Sequence, residues 1–228
     1  MDAYRLPASA QARSRPLLIG LSGPIGCGKS TVAAMLGELG GRIVDADQLA
    51  REVTGPRSPA LSDIRARFGD GVFDPSGELD RAALARLVFD DRAALADLER
   101  IVHPLVRERV EEALASAAVE HTPFVAVEAI KLVEGGLAER CDEVWLVQCG
   151  PRTQRERLRA RGADALDVEQ RIAAQGAGLV DRLADQLDRS AIRPRAVRRL
   201  STEGSLDDTR AAVEDALADA LEALLARD

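Results

Sequence analysis

The sequence predicts an α/β fold with a mostly parallel five-stranded sheet, on three observations. An apolar run, Leu17-Leu18-Ile19-Gly20-Leu21-Ser22, passes into Gly23-Pro24-Ile25-Gly26-Cys27-Gly28-Lys29-Ser30-Thr31 and then Val32-Ala33-Ala34-Met35-Leu36, which is the order strand, loop, helix. Short apolar segments recur at Ile43-Val44-Asp45-Ala46-Asp47, Phe124-Val125-Ala126-Val127-Glu128 and Val144-Trp145-Leu146-Val147-Gln148, as strands buried on both faces do. Long stretches with apolar residues at helical spacing separate them.

Gly23 to Ser30 spells Gly-x-x-x-x-Gly-Lys-Ser, the phosphate-binding P-loop, so the expected fold is that of a P-loop NTPase of the nucleotide-kinase type. Glycines let backbone N–H groups close on phosphate oxygens, and the N-terminus of the following helix adds partial positive charge. Gly23, Gly26, Cys27, Gly28, Lys29, Ser30 and Thr31 are the candidate ATP-binding residues. Lys29 is expected to reach the β and γ phosphates and Ser30 to place its hydroxyl on Mg²⁺.

The 228 residues, 46% of them hydrophobic, suit one α/β domain with insertions. A net charge of −7 and a pI near 5.1 argue against general nucleic-acid binding, which needs a broad basic field. Phosphate binding is therefore local. Lysine occurs only at Lys29 and Lys131, the other basic residues being arginine. Cys27, Cys141 and Cys149 have neither metal-ligand spacing nor an even count, which suggests free thiols in a reduced, cytoplasmic compartment. No apolar run is long enough to span a membrane. A monomer or weak homo-oligomer is expected.

Taken in order, residues 1–15 read as a disordered extension, and 16–57, 119–150 and 196–228 as the P-loop core. Gly40-Gly41 ends the first helix, Arg42 to Asp47 forms a short strand, and 48–57 a short helix and turn. Residues 58–118 form a helical insertion, too long for one crossover helix, in which His103-Pro104 is expected to interrupt the pattern. Residues 151–195 are the lid region: arginine-dense helical segments separated near Gly162, followed by a polar, poorly periodic stretch at 176–195. Most of these arginines fit a solvated face with internal Glu–Arg pairs, and one or two are expected to be functional. Ala196 to Ser201 is a weak last strand, and Leu206 to Ala226 a closing helix begun near Ser205.

Asp45 and Asp47 fall where a second parallel strand ends, at the edge where α/β sheets place ligands. One is expected to take a proton from an attacking hydroxyl and the other to organise Mg²⁺ or the loop; the structural alternative is an N-cap at Asp47. Glu128 is a candidate for holding a Mg²⁺-bound water. For His103, a phosphate contact and a local cap stand as equal readings. Trp145 reads as core.

These segments resemble the dephospho-CoA kinase family from about residue 17 to 225. The likeness is carried by Gly20 to Thr31, by Ile43-Val44-Asp45-Ala46-Asp47-Gln48-Leu49-Ala50-Arg51-Glu52-Val53, by Leu98-Glu99-Arg100-Ile101-Val102-His103-Pro104, by Gln154, Arg157, Leu158 and Arg161 with Arg171-Ile172 and Gln175, and by Gly204-Ser205-Leu206. The resemblance implies a P-loop kinase core with a helical CoA-binding domain and a lid. It further implies transfer of the ATP γ-phosphoryl group to the ribose 3′-hydroxyl of dephospho-CoA. It places Asp47 as general base, Asp45, Arg51 and His103 on the acceptor side, and Arg157 or Arg161 on the ATP side. The chain departs from the family pattern at Glu128-Ala129-Ile130-Lys131-Leu132-Val133-Glu134, where Lys131 is expected to meet the acceptor's phosphates, through 176–195, and at Thr202-Glu203, where an Asn-containing turn is usual. The alternatives are a P-loop kinase for another small hydroxyl or nucleotide acceptor and a nucleotide-binding regulator without kinase activity.

Overall fold

The computed structural model describes residues 15–226 apart from 90, 163, 191–193 and 195, so the expected extension at 1–15 lies almost wholly outside the described residues. Five strands, β1 (Leu17–Ser22), β2 (Arg42–Asp45), β3 (Phe124–Glu128), β4 (Glu143–Gln148) and β5 (Ala196–Ser201), form one parallel sheet in the order β2-β3-β1-β4-β5. Leu21 lies opposite Glu128 and Trp145 across the two interfaces of β1, and Gln148 opposite Ser201 between β4 and β5. From β1 the order runs outward in both directions, so the loop after β1 leaves the sheet at the point where strand order reverses, the crevice such sheets use for ligands.

Alternation along β1 turns Leu17, Ile19 and Leu21 into a core shared with Val32 and Leu36 of α1 (Lys29–Glu38), Phe124, Trp145, Val147, and Val213, Leu217 and Leu221 of α9 (Leu206–Leu225). Trp145 is fully buried, as expected, and its indole N–H donates to the buried Glu143 carboxylate at 2.9 Å. Arg198 of β5 donates from Nε to the same carboxylate at 2.7 Å, so the buried Glu143 is paired. Ser205 and Asp208 form a reciprocal capping box that starts α9 where the sequence placed it. Among the described residues no helix is long and apolar enough to cross a membrane.

Two compact units divide the chain: 1–44 with 113–228, and 45–112. The second unit begins at Asp45, earlier than the insertion read from sequence, and so takes in α2 (Ala46–Glu52) with α3 (Ala60–Phe68), α4 (Arg81–Phe89) and most of α5 (Arg92–Val119). It has its own core of Ala60, Ile64, Val72, Leu84, Val88 and Ala94.

Three expectations need correction. Pro104 does not interrupt a helix but lies inside the 28-residue α5. Proline's fixed φ is itself helical, and Ile101 and Leu105, on either side of the missing N–H, pack against the core of this unit. The stretch 176–195 contains α8 (Leu179–Arg189), whose Val180, Leu183 and Leu187 are buried at helical spacing and which lies against β4. The cysteines are not all free: Cys27 and Cys149, 122 residues apart in sequence with Cα atoms 5.1 Å apart, are joined by a disulfide, and Cys141 remains buried and free.

Candidate active site

In the first unit the groups suited to nucleotide chemistry collect at the carboxyl ends of β1, β3, β4 and β5. The loop after β1 approaches β4 so closely that a Cβ on Gly23 would lie 2.1 Å from the Val147 carbonyl oxygen, and Gly23 has φ +142°; no other residue fits. Gly28, at φ +87°, is the N-cap of α1 and supplies no side-chain cap. The opening turn of α1 therefore offers backbone N–H groups and the positive end of the helix dipole to an anion, with Ser30 exposed on that turn. Lys29 is buried, and its Nζ donates to the carbonyls of Gly23 at 3.0 Å and Pro24 at 3.3 Å. The residues thus fit a bound triphosphate: an anion-binding helix end, a flexible backbone turn and a cation held at the loop.

Cys27 lies in this loop, but its side chain is buried and bonded to Cys149 beyond the end of β4, so only its backbone faces the cradle chemistry. Thr202 follows β5 and is also buried. Its hydroxyl donates to the Cys27 carbonyl at 2.8 Å and accepts from Arg157 Nη1 at 2.8 Å, while Arg157 Nη2 donates to the Thr202 carbonyl at 2.6 Å. Arg157 belongs to α6 (Pro151–Ala160). A Cβ on Gly28 would stand 3.4 Å from its Nη1, which puts the guanidinium beside the last glycine of the loop.

Two glutamines hold the other side of the loop. Gln154 donates from Nε2 to the Ile25 carbonyl, and Gln175, at the end of α7 (Ala165–Gln175), accepts from the Ile25 N–H, both at 2.8 Å. The base of α6 is fixed by Glu203, whose carboxylate accepts from the Gly150 N–H and the Thr153 hydroxyl. Those bonds, the backbone one first, draw the Glu203 carboxyl below its ordinary range. The sequence singled out Thr202-Glu203 only as a departure from a pattern and gave Gln154 and Gln175 no role.

Arg161 caps the end of α6 one turn beyond Arg157. Other arginines of the region pair locally, Arg155 with Glu169 and Arg171 with Asp167, as a solvated face does. Glu128 ends β3 opposite Leu21, one strand from the loop's start. Lys131 is exposed in the turn after β3. Among the described residues no group of three His, Cys, Asp or Glu could hold a metal. Mg²⁺ does not need one, since it binds through one or two protein oxygens plus substrate phosphates and water, and the hydroxyl of Ser30 with the carboxylate of Glu128 is a donor set of that kind.

In the second unit Asp45, not Asp47, is the N-cap of α2, accepting from the Gln48 N–H at 2.9 Å, and Asp47 occupies the first turn. Arg51 is exposed in the last turn; its carbonyl accepts from Arg81 Nη2 at 2.8 Å, and Arg81 Nη1 donates to the Thr54 hydroxyl at 2.9 Å. His103 is half-buried in the middle of α5. An open pocket of about 730 Å³ between α3 and α5 is lined by Arg67, Asp97, Arg100, Ile101, Pro104 and Leu105, among others.

A family model described as Dephospho-CoA kinase matches residues 17–191. The dephospho-CoA kinase of Symbiobacterium thermophilum is 42% identical over 200 residues, 87% of this chain and 79% of its own length. That of Thermobifida fusca is 42% identical over 192 residues, 84% and 91% of the two chains. A crystal structure of a Thermus thermophilus protein matches with a TM-score of 0.71 at 34% identity, over 90% of this chain and 98% of that one. A dephospho-CoA kinase structure from Campylobacter jejuni, at TM-score 0.62, 21% identity and the same coverages, supports the fold. With the family model spanning the phosphate loop, the helical unit and the α6–α7 region, this chain belongs to the dephospho-CoA kinase family.

Proposed function

We propose that the protein transfers the γ-phosphoryl group of ATP to the ribose 3′-hydroxyl of dephospho-CoA, giving CoA and ADP. The observation that carries the donor half is the uncapped start of α1 beneath left-handed Gly28, with Lys29 held at the loop carbonyls. The acceptor is carried by family membership.

The backbone N–H groups of the loop and Lys29 hold the β and γ phosphates, and Lys29 exchanges its carbonyl partners for phosphate oxygens. Ser30 and, through water, Glu128 would hold Mg²⁺, which would supply neutralisation of the phosphate charge. Arg157 adds fixed positive charge on the rim of the loop, and Arg161 sits one turn beyond it. Asp47 accepts the proton of the attacking 3′-hydroxyl, with Asp45 ordering the turn that carries it. Arg51, His103 and Lys131 are assigned to the acceptor. Each assigned group either positions a reactant or stabilises charge where it develops, which is most of what catalyses phosphoryl transfer. The protein is taken to act as a monomer or weak homo-oligomer.

The test is ADP release from Mg·ATP with dephospho-CoA, nucleoside monophosphates or shikimate as acceptor, and mass analysis of the product. Stimulation by dephospho-CoA with formation of CoA is expected; stimulation only by another acceptor would reassign the substrate.

A further inference from the structure

The turn between β5 and α9 does more than end a strand. Thr202 is 2% exposed and its polar atoms join separate segments: its N–H donates to the Gln148 carbonyl at the end of β4, its hydroxyl donates to the Cys27 carbonyl of the phosphate loop, and its hydroxyl and carbonyl accept from the two terminal nitrogens of Arg157. A guanidinium on an arginine side chain has several rotamers to choose from, and it is held in one only when its fork is matched. Here a single residue matches both prongs, at 2.8 and 2.6 Å. The hydroxyl's hydrogen has the Cys27 carbonyl at 2.8 Å and, farther off, the Gln148 carbonyl at 3.4 Å as acceptors, which leaves a lone pair to accept from Arg157. The neighbouring Glu203 fixes the first turn of the same helix through Gly150 and Thr153. One dipeptide thereby ties α6 down at its start and again two turns on.

We propose that Thr202 is a positioning residue for nucleotide binding: its hydroxyl locks the Arg157 guanidinium beside Gly28, where the charge meets the triphosphate, and couples that lock to the backbone of the loop. The inference rests on the loop being the ATP site and is independent of which acceptor is used. Thr202→Val keeps the side-chain shape and removes the hydroxyl; Thr202→Ser keeps the hydroxyl. Valine leaves Arg157 Nη1 and the Cys27 carbonyl without this partner, and hydrogen bonds to charged groups are among the stronger ones.

The experiment is calorimetric binding of Mg·ATP, without acceptor, to the wild type, Thr202→Val, Thr202→Ser, Arg157→Ala and the Arg157→Ala/Thr202→Val double variant, with melting temperature measured on each. Thr202→Val is expected to weaken Mg·ATP on the order of tenfold, and Thr202→Ser to restore it to within about threefold. In the Arg157→Ala background the valine should cost nothing further, because the group it acts through is gone. In steady-state turnover the KM for dephospho-CoA should stay at the wild-type value while kcat/KM for ATP falls. A lower melting temperature with unchanged Mg·ATP affinity in Thr202→Val would overturn the proposal, as would valine and alanine effects that simply multiply. Failure of dephospho-CoA to stimulate turnover would refute the acceptor assignment and leave these binding results to stand or fall alone.

Discussion

In the unit that carries the phosphate loop, groups proposed to line the nucleotide site are fixed by partners drawn from distant parts of the sequence: Arg157 by Thr202, the Ile25 peptide by Gln154 and Gln175, and Cys27 by Cys149. In the unit spanning 45–112, Asp45 caps its own helix and Arg51 is exposed in the last turn of that helix. The contrast separates two ways of building half a site. The proposed donor site is a cradle whose backbone is set by strand ends, so little backbone reorganisation is left for ATP to drive beyond the exchange of Lys29's partners. Asp45, Asp47 and Arg51, proposed for the acceptor side, ride on the short α2 in a unit with a small core of its own, where local ordering contributes less and substrate contacts can contribute more.

The largest expected break in that contrast comes from Lys29→Ala. Removing the one lysine of the cradle should lower kcat by about 10³ with an unchanged KM for dephospho-CoA, as loss of a charge aimed at the transferring phosphoryl group does; steady-state kinetics on both substrates check it. Next is the Cys27–Cys149 bond, which closes a long loop in the donor unit. Reduction, or Cys149→Ser, should destabilise the protein by about 2–4 kcal/mol in denaturant titrations. Thiol counting in denaturant should give one reactive thiol without reductant and three with it. A smaller effect is expected on the acceptor side: Arg81→Ala removes contacts to Arg51 and Thr54 and should cost about 1–2 kcal/mol while leaving Mg·ATP affinity unchanged. Equal loss of ATP affinity would erase the distinction between the halves.

A further effect is expected at high pH. Burial first, and the Asp142 charge second, push the Cys141 thiol from 9.0 up to about 12. Because the folded value lies above the unfolded one, its contribution is fully present below pH 9 and is lost as pH rises from 9 towards 12. Urea midpoints measured across that range should fall more for the wild type than for Cys141→Ala.

What was legible in the sequence was legible for local reasons. Gly23 to Ser30 encodes its own loop, Phe124 to Glu128 its own buried strand, and Ser205 with Asp208 its own helix start, so contiguous residues sufficed. Parallel pairing and the helical block followed from the order of those elements. The disulfide did not, because Cys27 and Cys149 become neighbours only when β1 and β4 pair, and no spacing rule spans 122 residues. The Thr202–Arg157–Cys27 junction is hidden for the same reason. Pro104 misled because a local rule was overridden by packing of Ile101 and Leu105, and α8 because three buried apolar positions, Val180, Leu183 and Leu187, are thinly spread among charged ones. The cap fell on Asp45 rather than Asp47 because β2 ends two residues earlier than the sequence suggested.

Donor binding and proton removal are proposed to be supplied by different units, and Asp47→Asn measures that directly. Calorimetry and turnover on the same preparation should show Mg·ATP affinity within about twofold of the wild type and kcat lower by on the order of 10² or more, as loss of a general base requires. Turnover equal to the wild type would remove Asp47 from the chemistry, and a parallel loss of ATP affinity would contradict the division of labour.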